Sequence, residues 1–380
     1  MQDDADPPGG EPEGFRVLAD ELKREFRSWM SDPVVWPAER VDELARRTFA
    51  LQVSGNRAYG SYCRRLGVAP PAVHGWRDVP PVPTAAFREV PLVVGEPRDA
   101  VLEFRTSGTT RGSQRRGYHL VRDPELYRAS LTATFYRFVI TKAAGRGRLP
   151  IASLVPPFDQ APHSSLSWMA DAVVERFGTR NSECFAAGAG VDWPGAGRFL
   201  ARAEERGKPV CLFGTTLAFD EWTRRLMETG RRFRLPDGSV AMDTGGSKGR
   251  DYLIRDEVVA RLHSCLGLPP GNVVNEFGMT ELLSQRYGTP EALVAPPWLR
   301  TRSLDPVTLE ELPEGETGIL NHFDLANAGS VCSVLTEDLG SVAGGRVRWE
   351  GRVPGAPPRG CSLATADLLR SQTGTVGEDR

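Results

Sequence analysis

Apolar residues recur along the first third of the chain at helical intervals. Phe15, Leu18, Leu22, Phe26 and Met30 are three or four apart, which predicts an amphipathic helix over 14–30. Val41, Leu44, Ala45, Phe49 and Leu51 predict a second. Prolines at 70, 71, 80, 81 and 83 then mark an extended connector. Residues 101–105 read as a strand, followed by a loop of small polar residues. The segment 124–140 reads as a helix with a proline at its start. Beyond it the period changes. Short apolar runs at 151–155, 209–213, 239–243 and 272–277 alternate with helical patterns near 164–177, 217–229 and 251–267. Such alternation predicts an α/β fold with a largely parallel sheet. A last strand runs through 344–350 into a Gly/Pro break at 351–355. We therefore expect a tail at 1–13 too polar to order, a core over 14–350 and a short C-terminal segment at 351–380. No internal repeat is evident.

Charge and composition narrow the function classes. Forty-seven cations against 49 anions give a net charge of −2, without the basic excess expected of a nucleic-acid protein. No apolar run is long enough for a membrane span, and the acidic, Gly/Pro-rich start is unlike a secretory signal, so a cytoplasmic location is expected. The six cysteines lack CxxC spacing, so neither a disulfide framework nor a zinc site is indicated. Lysines are scarce: Lys23, Lys142, Lys208 and Lys248 are the full set.

Thr106-Ser107-Gly108-Thr109-Thr110-Arg111-Gly112-Ser113 follows the predicted strand 101–105. Glycines let backbone approach a ligand, and successive N–H groups with five hydroxyls can cradle an anion. Read by itself the run is either such a nest or a polar surface turn. It lacks the GK[ST] ending of the Walker loop.

Further signals follow it in order. TSGTT resembles the phosphate loop of the adenylate-forming superfamily, which includes acyl-CoA synthetases, peptide-synthetase adenylation domains and firefly luciferase. Thr244-Gly245-Gly246-Ser247 resembles the adenine-side loop of that superfamily. Phe277-Gly278-Met279-Thr280-Glu281 resembles its aromatic-Gly-x-Thr-Glu motif, Thr336-Glu337-Asp338-Leu339 its TGDL motif, and Gly351-Arg352 its hinge. A narrower resemblance covers nearly the whole chain. PPVPTAAFREVPL (80–92), HSSLSWM (163–169), CLFGTTLAF (211–219), DTGGSKGR (243–250), FGMTELLSQ (277–285) and GRVPGAPPRGCSLA (351–364) are similar to LuxE-type acyl-protein synthetases.

The resemblance implies an adenylate-forming core of layered α/β subdomains with a much shortened C-terminal segment. It implies activation of a carboxylic, fatty-type acid by Mg²⁺·ATP as an acyl-adenylate, with transfer to an enzyme cysteine and onward to a reductase or carrier protein. Thr106, Ser107, Gly108, Thr109 and Thr110 would then cradle phosphate. Gly245, Gly246, Ser247, Lys248, Phe277 and Gly278 would border the nucleotide. Thr280 would bond the α-phosphate, Glu281 would hold Mg²⁺, Asp338 would accept from the ribose, and Arg352 would meet ribose or phosphate. His163 would stand at the carboxylate entrance. Trp168, Met169, Phe213, Phe219 and Phe277 are candidates for an acyl pocket. Cys361, in Arg-Gly-Cys-Ser just past the hinge, would be the acyl acceptor, with Arg359 favouring its thiolate.

The chain also departs from the superfamily pattern. The superfamily's catalytic lysine, near the end of a C-terminal domain of about a hundred residues, has no counterpart after Lys248. That leaves Lys248 or an arginine of 111–116 as substitute. Two rival functions follow: a ligase that acylates CoA or a carrier directly, and a nucleotide-binding subunit without catalysis.

Overall fold

The computed structural model describes residues 13–106, 116–143, 147–188, 190–245, 254–353, 364–366 and 368–369. Ser107, Gly108, Thr109, Thr110, Gly246, Ser247, Lys248 and Cys361 lie outside them, as does the segment 1–12. The chain divides into two compact units. One comprises Met1–Ser130, Met279–Ser284 and Pro290–Arg380, the other Leu131–Gly278 and Gln285–Thr289.

The second unit is a six-stranded sheet. Its order is Arg286–Gly288, Val273–Phe277, Val240–Thr244, Cys211–Thr215, Ile151–Ser153 and Glu183–Cys184. All pairs are parallel except the edge pair formed by Arg286–Gly288. The inner strands are buried along most of their length, which is why they begin as short apolar runs in the sequence. Helices Ser165–Phe177, Trp193–Arg206, Thr216–Glu228 and Arg255–Leu266 connect successive strands. Phe199, Leu212, Phe219, Trp222, Leu262 and Val273 meet in one apolar cluster.

The strand at 183–184 lies on one side of the strand at 151–153, and the strands at 211, 240 and 273 follow on the other. The direction of winding therefore reverses between 151–153 and 211–215. In open parallel sheets that reversal opens a ligand crevice beyond the carboxyl ends of the strands.

The first unit is a mostly antiparallel sheet backed by helices. Val82–Pro83 pairs in parallel with Ser333–Ala343, which also pairs with Gly318–Asp324 and with Arg346–Arg352. Leu299–Leu304 forms the far edge. The helix Glu13–Ser31 buries Phe15, Leu18, Leu22 and Phe26 as expected, but its stripe ends on buried Trp29, with Met30 half-buried. Rings gather there because Trp298 stacks on Phe26 at 4.1 Å and meets Trp29 edge-on at 5.2 Å. In the helix Ala38–Gly55 the buried position is Gln52 rather than Leu51. The Gln52 amide donates to the Asn327 carbonyl at 3.0 Å and accepts from the Cys332 N–H at 3.2 Å. A polar residue there gives no apolar signal. The helix Arg57–Arg65 and the strands between 299 and 343 were also not anticipated.

Candidate functional site

In the second unit the site is built by strand register. Glu276 pairs opposite Thr244, so the turns after both strands leave the sheet side by side. The Thr244 hydroxyl donates to the Glu276 carboxylate. Gly245 follows Thr244 with φ of +78°, a conformation that side chains resist. The Thr216 hydroxyl, at the start of the neighbouring helix, lies 2.7 Å from the Gly245 carbonyl and 2.9 Å from Asp243 Oδ2. Arg255 neutralises the buried Asp243 carboxylate, its Nη2 at 2.7 Å and its Nε at 3.0 Å. A Cβ on exposed Gly278 would fall 2.5 Å from Glu276 Oε1, so the turn there admits only glycine unless that carboxylate moves.

Burial pushes the Glu276 carboxyl up to about 7, with the Asp243 charge adding to it and the Thr244 hydroxyl opposing it. Its folded value is above the unfolded one near 4.5, so the associated stability is fully present below about 4.5 and is lost as pH rises through 7. Gln at this position keeps an acceptor for Thr244 and does not ionise. The melting temperature of Glu276→Gln relative to the parent is therefore expected to climb between pH 5 and 8.5, by an amount worth up to ~3 kcal/mol. A difference that stays flat over that range would show that Glu276 does not titrate there.

In the first unit, the strands Leu102–Arg105 and Tyr118–Val121 form a hairpin that closes the base of the Ser/Thr/Gly loop. The Thr106 N–H donates to the Gly117 carbonyl at 2.9 Å, and the Thr106 hydroxyl accepts from the Gly117 N–H at 3.0 Å. His119, on the same hairpin, is buried and donates from Nδ1 to the Thr280 carbonyl at 2.8 Å. Burial lowers its pKa to about 4, so the ring is neutral near pH 7 and holds Thr280 as a plain donor.

The segment after Thr280 is clamped from below. Asp324 accepts from the Leu283 N–H at 3.0 Å and the Ser284 hydroxyl at 2.7 Å, and Asn327 donates to the Glu281 carbonyl at 2.8 Å. These hydrogen bonds leave the Glu281 backbone little freedom. Its side chain is 8 % exposed, and burial pushes the carboxyl up to about 7. Its own backbone N–H and the charges of Arg352 and Arg88 work against that rise, while Asp338 adds to it. Asp338 sits in register opposite Arg352, whose Nε donates to it at 3.1 Å. The two residues were read separately from the sequence; the structure makes them an ion pair.

Among the described residues no group of three His, Cys, Asp or Glu side chains is placed to hold a metal alone. The buried Glu281 carboxylate by itself offers a hard oxygen ligand, which suits Mg²⁺ because that ion keeps several waters and takes phosphate oxygens as further ligands.

Other candidates lie elsewhere. His163 is exposed in the turn before Ser165–Phe177. Trp168, Met169, Phe213 and Phe219 are buried core side chains, with Phe213 packed against Phe135 at 6.1 Å, and Phe277 is half-buried. Cys63, Cys211, Cys265 and Cys332 are buried, and burial pushes the thiols of Cys63 and Cys211 up to about 12; only Cys184 is exposed among the described cysteines. Sequence reasoning missed His119, Asp324 and Asn327. Two of these act through backbone carbonyls and one through backbone and hydroxyl donors, so no motif spacing marks them.

The model of the acyl-protein synthetase LuxE matches residues 197–369. The match extends across the strands that carry Thr244, Glu276 and Asp338 and the turn that holds Thr280 and Glu281.

Over residues 197–369 this chain resembles the LuxE family.

Two relatives carry the name long-chain-fatty-acid–luciferin-component ligase. The one from Vibrio harveyi is 23% identical over 359 residues, spanning 90% of this chain and 93% of its own. The one from Aliivibrio fischeri is 23% identical over 362 residues with the same coverage. Among solved structures, an open conformation of 2-hydroxyisobutyryl-CoA ligase in complex with 2-HIB-AMP and CoA superposes with a TM-score of 0.62 at 16% identity. It covers 93% of this chain and 75% of that one. The same ligase in the postadenylation state gives 0.61 at 15% identity, covering 93% and 73%. The expected fold is thus borne out: this chain has the α/β architecture of adenylate-forming ligases. No helix among the described residues is long and apolar enough to cross a membrane.

Proposed function

We propose that this chain is an AMP-forming acid–thiol ligase that activates a long-chain fatty acid and passes the acyl group to its own Cys361. The observation that carries the reading is the Thr280–Glu281 segment: a buried carboxylate beside two arginines, locked by His119, Asp324 and Asn327. That much buried polar structure around one acidic side chain is costly unless a ligand uses it.

A carboxylate is a poor electrophile. Attack of its oxygen on the α-phosphorus of ATP forms the acyl–phosphate bond, and pyrophosphate leaves with the electron pair of the bond that breaks. The Cys361 thiolate then attacks the acyl carbon and AMP departs, leaving a thioester. In this scheme Thr106 with Ser107, Gly108, Thr109 and Thr110 holds phosphate, and Thr280 bonds the α-phosphate. Gly245, Gly246, Ser247, Lys248, Phe277 and Gly278 border adenine, while Asp338, oriented by Arg352, accepts from the ribose. His163 stands by the acid. Glu281 is the residue that would hold Mg²⁺, which when bound withdraws charge from the phosphates. Buried Cys63, Cys211 and Cys332 are poor rivals to Cys361, because burial raises their thiols and disfavours the thiolate. The final acceptor is a partner protein, either a reductase or a carrier.

Incubation with ATP, Mg²⁺ and tetradecanoate should add one acyl mass to the intact chain. Neutral hydroxylamine should remove it, as a thioester requires. An adduct that survives hydroxylamine, or none while pyrophosphate is released, would remove the self-acylation step.

A further inference from the structure

Of the two arginines whose charge reaches Glu281, one is spoken for. Arg352 is bound to Asp338. Arg88 is not: it is half-buried, and no hydrogen bond or ion pair holds its guanidinium among the described residues. Its position is nevertheless fixed. Val82 and Pro83 pair with Val334 and Leu335 on the strand that carries Asp338, and the short helix Thr84–Arg88 follows at once. Phe87 is fully buried and meets His119 edge-on at 5.5 Å. That anchor turns the next side chain toward the base of the Ser/Thr/Gly loop. A Cβ on Gly117 would lie 3.4 Å from Arg88 Cγ and 3.3 Å from Thr106 Cγ2.

A half-buried guanidinium without a partner among the described residues, its charge reaching a buried carboxylate and its stem against Gly117, suits phosphate oxygens, which match its planar fork. The charge balance points the same way. With Asp338 and Arg352 cancelling, Glu281 and Arg88 remain, and a triphosphate brings further negative charge that Arg88 alone of the two arginines is free to meet.

We propose that Arg88 is a further catalytic residue, contacting the triphosphate and stabilising the charge that gathers on pyrophosphate as the α-phosphorus–oxygen bond breaks. The inference rests on the adenylating reading above. Arg88 donates hydrogen bonds and keeps its protons throughout; no proton is transferred by it.

The test measures fatty-acid-dependent ATP–pyrophosphate exchange at saturating ATP, together with calorimetric ATP affinity and melting, for the parent, Arg88→Met, Arg88→Lys and Arg88→Ala. Arg88→Met should lower saturated exchange by ~100- to 1,000-fold while weakening ATP binding by less than ~10-fold, since the contact strengthens as charge develops. Arg88→Lys should recover at least ~10-fold of that loss, and added guanidinium should partly rescue Arg88→Ala. Melting should hold, because no internal ion pair is lost. If Arg88→Met instead melts early, the lysine variant and guanidinium rescue decide, and absence of both rescues overturns the proposal. Exchange within ~3-fold of the parent, or a loss confined to ATP affinity, also overturns it. No exchange by the parent would instead refute the adenylating reading itself.

Discussion

Glu281→Gln is expected to lower fatty-acid-dependent ATP–pyrophosphate exchange by ~100- to 1,000-fold or more without weakening the fold. The amide is nearly isosteric, so Asn327 can still donate to the residue 281 carbonyl and His119 to that of Thr280. What disappears is the anionic oxygen that a hard divalent cation prefers. The stability prediction has the opposite sign. Burial raises the Glu281 carboxyl to about 7, so its ionisation works against the folded state as pH rises through that value, and a neutral amide removes the cost. Measured at pH 8, the variant should therefore melt no lower than the parent while exchange collapses. Loss of both together would assign Glu281 a structural role, and unchanged exchange at limiting Mg²⁺ would remove it from the metal.

Cys361→Ser is expected to abolish the acyl adduct and to leave exchange within about threefold of the parent, since adenylation precedes thiol attack. Cys184→Ser serves as the control, because Cys184 is the one exposed thiol among the described cysteines. Burial raises its pKa too, and its Sγ donates to the Val155 carbonyl at 3.2 Å, so it should retain neither role. Labelling that persists in Cys361→Ser and vanishes in Cys184→Ser would move the acceptor. Acylation of added CoA by a Cys361→Ser variant that keeps full turnover would favour the direct ligase instead.

How much of this was legible depends on how each residue does its work. The parallel strands announced themselves because both of their faces are buried, so IASLV and PVCLF are almost wholly apolar and NVVNEF keeps Val273, Val274 and Phe277. The residues expected at the site are polar groups in glycine-bearing turns, where side-chain type and spacing follow the chemistry. The antiparallel strands between 299 and 343 gave no comparable signal. Gly318–Asp324 is buried along its whole length yet carries Asn321, His322 and Asp324, because its polar side chains bond inward: Asn321 to Ser333 at 3.1 Å, Asp324 to Ser284 at 2.7 Å. Arg88 was passed over for a related reason. Within TAAFREV it looks like any surface arginine, and only the burial of Phe87 against His119 and the closeness of Gly117 show where it points.

The central claim is that this chain activates a carboxylic acid through its adenylate. Pyrophosphate exchange by the unmodified chain tests it most directly, with radiolabelled pyrophosphate, ATP and Mg²⁺, in the presence and absence of a series of fatty acids. The account predicts that label enters ATP only when an acid is present, with a clear optimum of chain length. Label that enters equally without acid, or no label with any acid of the series, would contradict it.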